Sequence, residues 1–325
     1  MLTFSLLGND YPDHQELVAA ISHCTKKYNK DNISRTNAYF TFYKMHPEIR
    51  WAFLASMVSR NAGWNMCDLE GATMPKILSP SFRKTLFLTY ETANYLIFQD
   101  VFPQLLLYHY STKIDMPLFH LNKYFSTSLF MCKEWTAFWK QKNEERLLTA
   151  LIINEQNVIQ APVIEGKAFR ERVFCSKIFL LQDHMHFSVV LFPTISGELY
   201  GASVHSFRNL DARIHLGKVL AAILFSPERF PSFYRFASYT EHTGSREDYE
   251  RYDRCRKQRD TPYLRTIYPV MEMKVEKNDW ELDQKVKKVW MKRVKAPVKS
   301  NLTSWYKEKQ KQLRLFAALY EMIKQ

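Results

Sequence analysis

Apolar and polar positions along this chain repeat mainly at helical spacing, and one dense stretch organises the pattern. His46 to Gly71 reads HPEIRWAFLASMVSRNAGWNMCDLEG. Pro47 suits a first helical position, where a missing N–H costs nothing. Glu48 then falls in the first turn, where the helix dipole favours an acid. Trp51 to Val58 is apolar on nearly every side, the pattern of a buried helix rather than a surface one. Gly63 is the expected stop. Arg60 and Asn61 fall on the last turn, and a buried charge needs a partner. The plain reading pairs Arg60 with the nearest following acids, Asp68 first and Glu70 second. The sharper reading makes Arg60, Asn61, Trp64, Asn65 and Asp68 the lining of a ligand pocket, because perturbed charges gather at sites as well as in structural ion pairs.

The same spacing predicts helices over 14–28, over 35–45 with Ser34 as cap, and from Pro80 behind Ser79. In that last helix Leu86, Tyr90, Ala93 and Ile97 share a face, and Pro103 is expected to break or kink it. Helical patterns recur over 119–139, 144–156 and 211–225. The run KIFLLQDHMHFSVVLF at 177–192 suits a buried helix or a pair of strands, and the helical surroundings favour the helix. Ser245-Arg-Glu-Asp reads as a capping box. Residues 260–269 read as a turn-rich connector, with Pro262 and Pro269 as breakers. Two amphipathic basic helices are expected beyond it, one from Asp279 to Pro297 and one from Leu302. The fold class expected is therefore mainly α, a multi-helix globular bundle around a buried central helix. Residues 1–260 form its core domain, and 261–325 a connector and basic helices docked on it.

Length and composition sharpen this picture. The 325 residues are 46% hydrophobic and 15% aromatic, with only 8 glycines. That excludes a disordered chain and argues against glycine-rich phosphate loops. Five cysteines stand far apart with no C-x-x-C pair, so free thiols in a reducing, cytoplasmic compartment are expected. The N-terminal apolar run lacks a basic lead and is too short for a secretory signal. Thr85 to Tyr110 is interrupted by Glu91, Asp100 and Pro103, so no transmembrane segment is expected there.

The net charge is +13. Residues 285–325 carry 12 lysines and arginines against Glu308 and Glu321, a net +10, which leaves +3 for the rest of the chain. This points to a polyanionic partner, either nucleic acid, the ribosome or an anionic membrane surface. Lys287, Lys288, Lys292, Arg293, Lys295, Lys307 and Lys311 are the candidate contacts.

The segments RTNAYFTFYKMHPEIRWAFLASMVSRNAGWNMCDLEG, ANYLIFQDVFPQLLLY, TALIINEQNVIQ and HTGSREDYE resemble an uncharacterised bacterial family of spore-forming, Gram-positive bacteria, the domain of unknown function 2515. The likeness runs from about Arg35 to Tyr252 and leaves the basic C-terminal part outside. It implies a helical, cytoplasmic protein and nothing about chemistry.

Other chemistry is thinly represented. Asp183, His184 and His186 could contribute ligands from a strand, where i and i+2 share a face, but no second ligand cluster accompanies them, and ordinary histidines are the default. His242, Thr243, Ser245, Arg246 and Asp248 are residue types of a hydrolase, yet helix capping accounts for Ser245 and Asp248, and no G-x-S-x-G elbow exists. No metal and no cofactor is expected. Two function classes remain: a helical interaction protein with a basic tail, and an enzyme or ligand-binding protein whose pocket adds His242 and Arg246 to the residues around Arg60. They differ in whether Arg60, Asp68, His242 and Arg246 line one open cleft.

Overall fold

A computed structural model describes residues 13–63, 65–174, 189–203, 207–253, 260–271, 273, 279–282 and 284–324. Helices dominate, so the protein is mainly α. They are α1 (His14–Tyr28), α2 (Asn32–Met45), α3 (Arg50–Ser59), α4 (Met74–Ile77), α5 (Pro80–Ile114), α6 (Leu129–Gln141) and α7 (Glu144–Val158). After them come α8 (Leu210–Leu224), α9 (Phe230–Tyr239), α10 (Glu247–Glu250), α11 (Leu264–Ile267) and α12 (Thr303–Lys324). Short 3-10 and π turns join several of these. One antiparallel pair, β1 (Val189–Pro193) and β2 (Leu199–Ser203), sets Leu191 opposite Gly201. The chain forms two compact units, one of residues 1–56, 92–162 and 271–292, the other of 57–91, 163–270 and 293–325.

The first unit packs on aromatic side chains. Tyr39 meets the Trp51 ring edge-on at 5.3 Å, and Phe98 stacks on Phe102 at 4.4 Å. Such large side chains dominate a core energetically and need partners for their N–H groups. Trp135 Nε1 donates to Gln104 Oε1 at 2.8 Å, and Trp280 Nε1 donates to Asn154 Oδ1 at 2.8 Å. Asn154 and Gln104 both donate to Asp100, which closes a buried polar chain. Trp51 Nε1 donates to Glu155 Oε2 at 2.9 Å, and burial pushes that carboxyl up to about 7. The stretch Glu144–Ile164 is long and apolar enough to cross a membrane, with 67% of that window buried inside the protein.

Several sequence expectations are met closely. α1 has the expected ends, and α7 and α8 lie within two residues of theirs. Ser79 Oγ accepts from Phe82 N–H at 3.3 Å, as a cap should. Others are corrected. Asp31, not Ser34, caps α2, accepting from Ser34 N–H at 2.7 Å. Pro47 lies in a turn before α3, which starts at Arg50. Pro103 does not break its helix: it sits inside α5, which runs on to Ile114. A Cβ on Gly63 would stand 2.8 Å from Val189 O, so its role is close approach to β1 and not a left-handed cap. Residues 119–139 split into a 3-10 turn over Phe119–Phe125 and then α6. Residues 189–193 are a strand, not the end of a helix, while the rest of the 177–192 run, with Asp183, His184 and His186, lies outside the described residues.

The first of the two expected basic helices is absent among the described residues of 279–297. That segment makes only 3-10 turns, Trp280–Leu282 and Lys288–Met291. Trp290 is buried, whereas Leu282, at the expected apolar face, is 84% exposed. The second helix is α12.

Candidate functional site

The candidate pocket residues that the structure describes belong to the second unit, but they take separate tasks. Asn61 pins β1: its side-chain N–H donates to Val189 O at 3.1 Å, and its Oδ1 accepts from Leu191 N–H and Gly63 N–H, each at 2.8 Å. Arg60 is buried and reaches the end of α9. Its guanidinium donates to Thr240 O at 2.7 Å and Ala237 O at 3.4 Å. Helix ends leave carbonyls without partners, and a cation there also meets the negative end of the dipole. Burial lowers the Arg60 guanidinium to about 10, with the charge of Asp248 opposing. The expected Arg60–Asp68 pair is therefore replaced by Arg60 on backbone carbonyls, and the acid it feels is Asp248. Trp64 lies outside the described residues.

Asp68 sits in a 3-10 turn, Met66–Glu70, that Asn65 caps. Asn65 Oδ1 accepts from Cys67 N–H at 3.0 Å, and Asp68 Oδ2 accepts from Asn65 N–H at 2.9 Å, a reciprocal box. The other Asp68 oxygen meets Arg246 Nη1 at 2.9 Å, each side chain 5% exposed. Arg246 also binds Asp260, approaches Glu250 at 3.5 Å and donates to Gln310 Oε1 at 2.9 Å. A buried guanidinium needs this much compensation. Burial raises the Asp68 carboxyl, while Arg246 and the Asn65 N–H pull it down. Burial also pushes Glu250 up to about 7, against Arg246, with Asp260 and Asp68 adding to the rise.

His242 and Ser245 do not form a nucleophile and its base. His242 Nδ1 lies 3.3 Å from Asp248 Oδ2, and Asp248 accepts from the Thr243 N–H at 2.8 Å and from its hydroxyl. Ser245 Oγ is engaged with Thr261, at 2.9 Å from its carbonyl and 2.8 Å from its hydroxyl. The expected S-x-x-D box is corrected accordingly: Asp248 turns back to Thr243, and α10 is a single four-residue turn. Gly244 between them has φ +79, a conformation natural to glycine.

What this knot holds is α12. Besides the Arg246–Gln310 bond, the Tyr249 and Tyr306 hydroxyls meet at 2.9 Å, and Arg314 binds Asp260 at 3.2 Å. Lys307 pairs with Asp253 at 2.8 Å, and Lys76 of α4 with Glu321 at 2.7 Å. Tyr306, Leu313 and Ala317 form the buried side of the helix. Glu250, Asp260, Tyr306, Gln310 and Arg314 were not among the sequence candidates, since nothing local marks partners so distant in the chain. Residues 299–302 add to the anchorage: Gly201 N–H donates to Ser300 O at 2.9 Å, and Leu302 N–H to Leu199 O at 2.8 Å.

The candidate polyanion contacts Lys287, Lys288, Lys292, Arg293, Lys295, Lys307 and Lys311 are all exposed. A groove of about 510 Å³ lies elsewhere in this unit, between β2 and α8, with His215, Leu216, Pro297 and Lys299 among its walls. None of the described candidate pocket residues lines it.

Comparison with known proteins places this architecture. No solved structure matches the chain. An uncharacterised protein of Bacillus subtilis (strain 168), YppC, is 48% identical over 312 residues, covering 95% of this chain and 97% of that one. The profile of a family described as a protein of unknown function, DUF2515, matches residues 27–310, reaching past the HTGSREDYE segment and through much of the basic region. Arg246, Asp260 and Gln310 all lie within the matched span, and on that match the chain belongs to the DUF2515 family.

Proposed function

We propose that this is an interaction protein that docks through its basic C-terminal region on a polyanion. The observation that carries this reading is the concentration of +10 over residues 285–325, with Lys285, Lys287, Lys288, Lys292, Lys295, Lys299 and Lys311 exposed while the buried side of α12 is fastened by the knot around Arg246. Solubilising charge normally mixes signs, and this segment has two acids. Cys24 and Cys67 are buried free thiols, as suits a reducing cytoplasm.

The alternative, an enzyme or ligand pocket around Arg60, Asn61, Trp64 and Asp68, has less support. Arg60 is occupied by two carbonyls and Asp68 by Arg246 and Asn65. Polar groups at a site converge on open space, and these turn inward onto the chain.

The test is titration of the full chain with duplex DNA, RNA and phosphatidylglycerol vesicles at low and moderate salt. Binding to at least one of them that weakens as salt rises is expected. Binding to none would overturn the proposal.

A further inference from the structure

We infer that the polyanion is an anionic lipid surface, and that the outward face of α12 enters its headgroup layer. The inference rests on the polyanion reading and names its partner. Along α12, Leu315, Leu319 and Met322 follow the spacing of one helical face, and Phe316 and Ile323 extend it. These five are exposed, Leu315 at 63%, Met322 at 65% and Ile323 at 85%. The opposite side of the same helix is the one already fastened by Tyr306, Gln310, Leu313 and Ala317. The apolar face is therefore not a core face awaiting its place, because the helix is already docked on its other side.

Charge says what covers it. At about 100° per residue, Lys309 and Lys311 fall roughly 80° to either side of Leu319 and flank the N-terminal end of the face, with the exposed Glu308 between them. Lys311 is exposed, as is Lys307 beside its partner Asp253, and Arg293, Lys295 and Lys299 of the same unit are exposed on the preceding segment. An apolar strip edged by lysines is how a helix lies in an anionic interface, with aliphatic and aromatic side chains below the headgroups and ammonium groups among the phosphates. Nucleic acid would use the lysines and leave Leu315, Leu319, Met322 and Ile323 without a role.

The experiment is co-sedimentation of the full chain with vesicles of phosphatidylglycerol and phosphatidylcholine in equal parts, with phosphatidylcholine alone and with DNA and RNA as comparisons. The L319S/I323S variant is run beside the wild type. Both positions are exposed, so its melting should match wild type; L315S/M322S serves as a second pair on the same face. Each buried CH2 contributes about fourfold to partitioning, so each variant should bind mixed vesicles at least about tenfold more weakly. Residual binding of DNA or RNA should not change. Wild type that binds DNA or RNA but not vesicles would overturn the lipid inference and leave the polyanion reading standing. Binding to nothing would remove both. Variants that partition like wild type would overturn insertion, leaving a purely ionic contact. A wild-type dimer split by L319S/I323S, without vesicle binding, would assign the face to a second copy of the chain and overturn the inference.

Discussion

Arg246 Nη1 lies 2.9 Å from Asp68 Oδ1, and the two side chains are equally buried. The pair joins a capped 3-10 turn to α10, and through Asp260 and Gln310 the same guanidinium reaches the segment before α11 and α12. Replacing Arg246 with Met strands several carboxylates at once. Loss of one member of a buried pair costs about 3–5 kcal/mol, and R246M should fall in that range by urea denaturation. Asp68→Asn should cost less, since Arg246 keeps Asp260 and Glu250. Equal stability of R246M and wild type would contradict the knot.

Arg60 makes a different prediction. Its partners are carbonyls, so Arg60→Leu leaves acceptors at the end of α9 without donors, a cost of about 1–3 kcal/mol. Coupling between R60L and D68N in a double-mutant cycle should be near zero. A large coupling energy would restore the direct pair that the sequence suggested.

Glu250 and Glu155 set a pH dependence. Each carboxyl rises from its ordinary 4.5 to about 7 in the folded protein, mainly through burial. The folded state then holds protons that the unfolded state has released, so stability falls as pH rises from about 4.5 to 7. Glu250→Gln should raise the melting temperature at pH 8 and change it little at pH 5. A variant equally stabilised at both values would contradict the assignment.

Gly201 is held by space. A Cβ there would come within 2.0 Å of Val190 O, a backbone atom that cannot swing away. Gly201→Ala should separate β1 from β2 and disturb the bond to Ser300, at a cost of about 1–3 kcal/mol, measured by thermal melting. Wild-type stability would mean that the strand pair is not as described.

Much of the helical framework was legible, because caps and one-face spacing are local signals: α1, α7 and α8 carry both. The misreadings have physical causes. A short apolar run reads alike as strand or helix, and β1 is such a run, paired with a strand containing Gly201 and Ala202. Leu282 and Val289 have helical spacing, but both are exposed and make no buried stripe. α9 has no side-chain cap to mark its start, although Phe233 and Phe236 are buried on one side of it. At the candidate site, Asp68 and Arg246 were each singled out, yet their pairing spans most of the chain and leaves no periodic trace. Gln310 and Tyr306 looked like ordinary members of an amphipathic helix.

The central claim is that exposed lysines of residues 285–325 carry binding to a polyanion. Removing the segment is a poor test, because Tyr306, Leu313, Ala317 and Ser300 are buried parts of the second unit. The direct measurement is the affinity of the full chain for phosphatidylglycerol vesicles, DNA and RNA across a salt series, for wild type and for K288Q/K295Q/K311Q. The three lysines are exposed, and each should contribute about 1 kcal/mol at a membrane surface or reduce the log–log salt slope by about 0.7–0.9 on nucleic acid. A variant that binds more weakly, with a shallower salt dependence and an unchanged melting curve, is the predicted result. A variant that binds as wild type at every salt concentration would contradict the account.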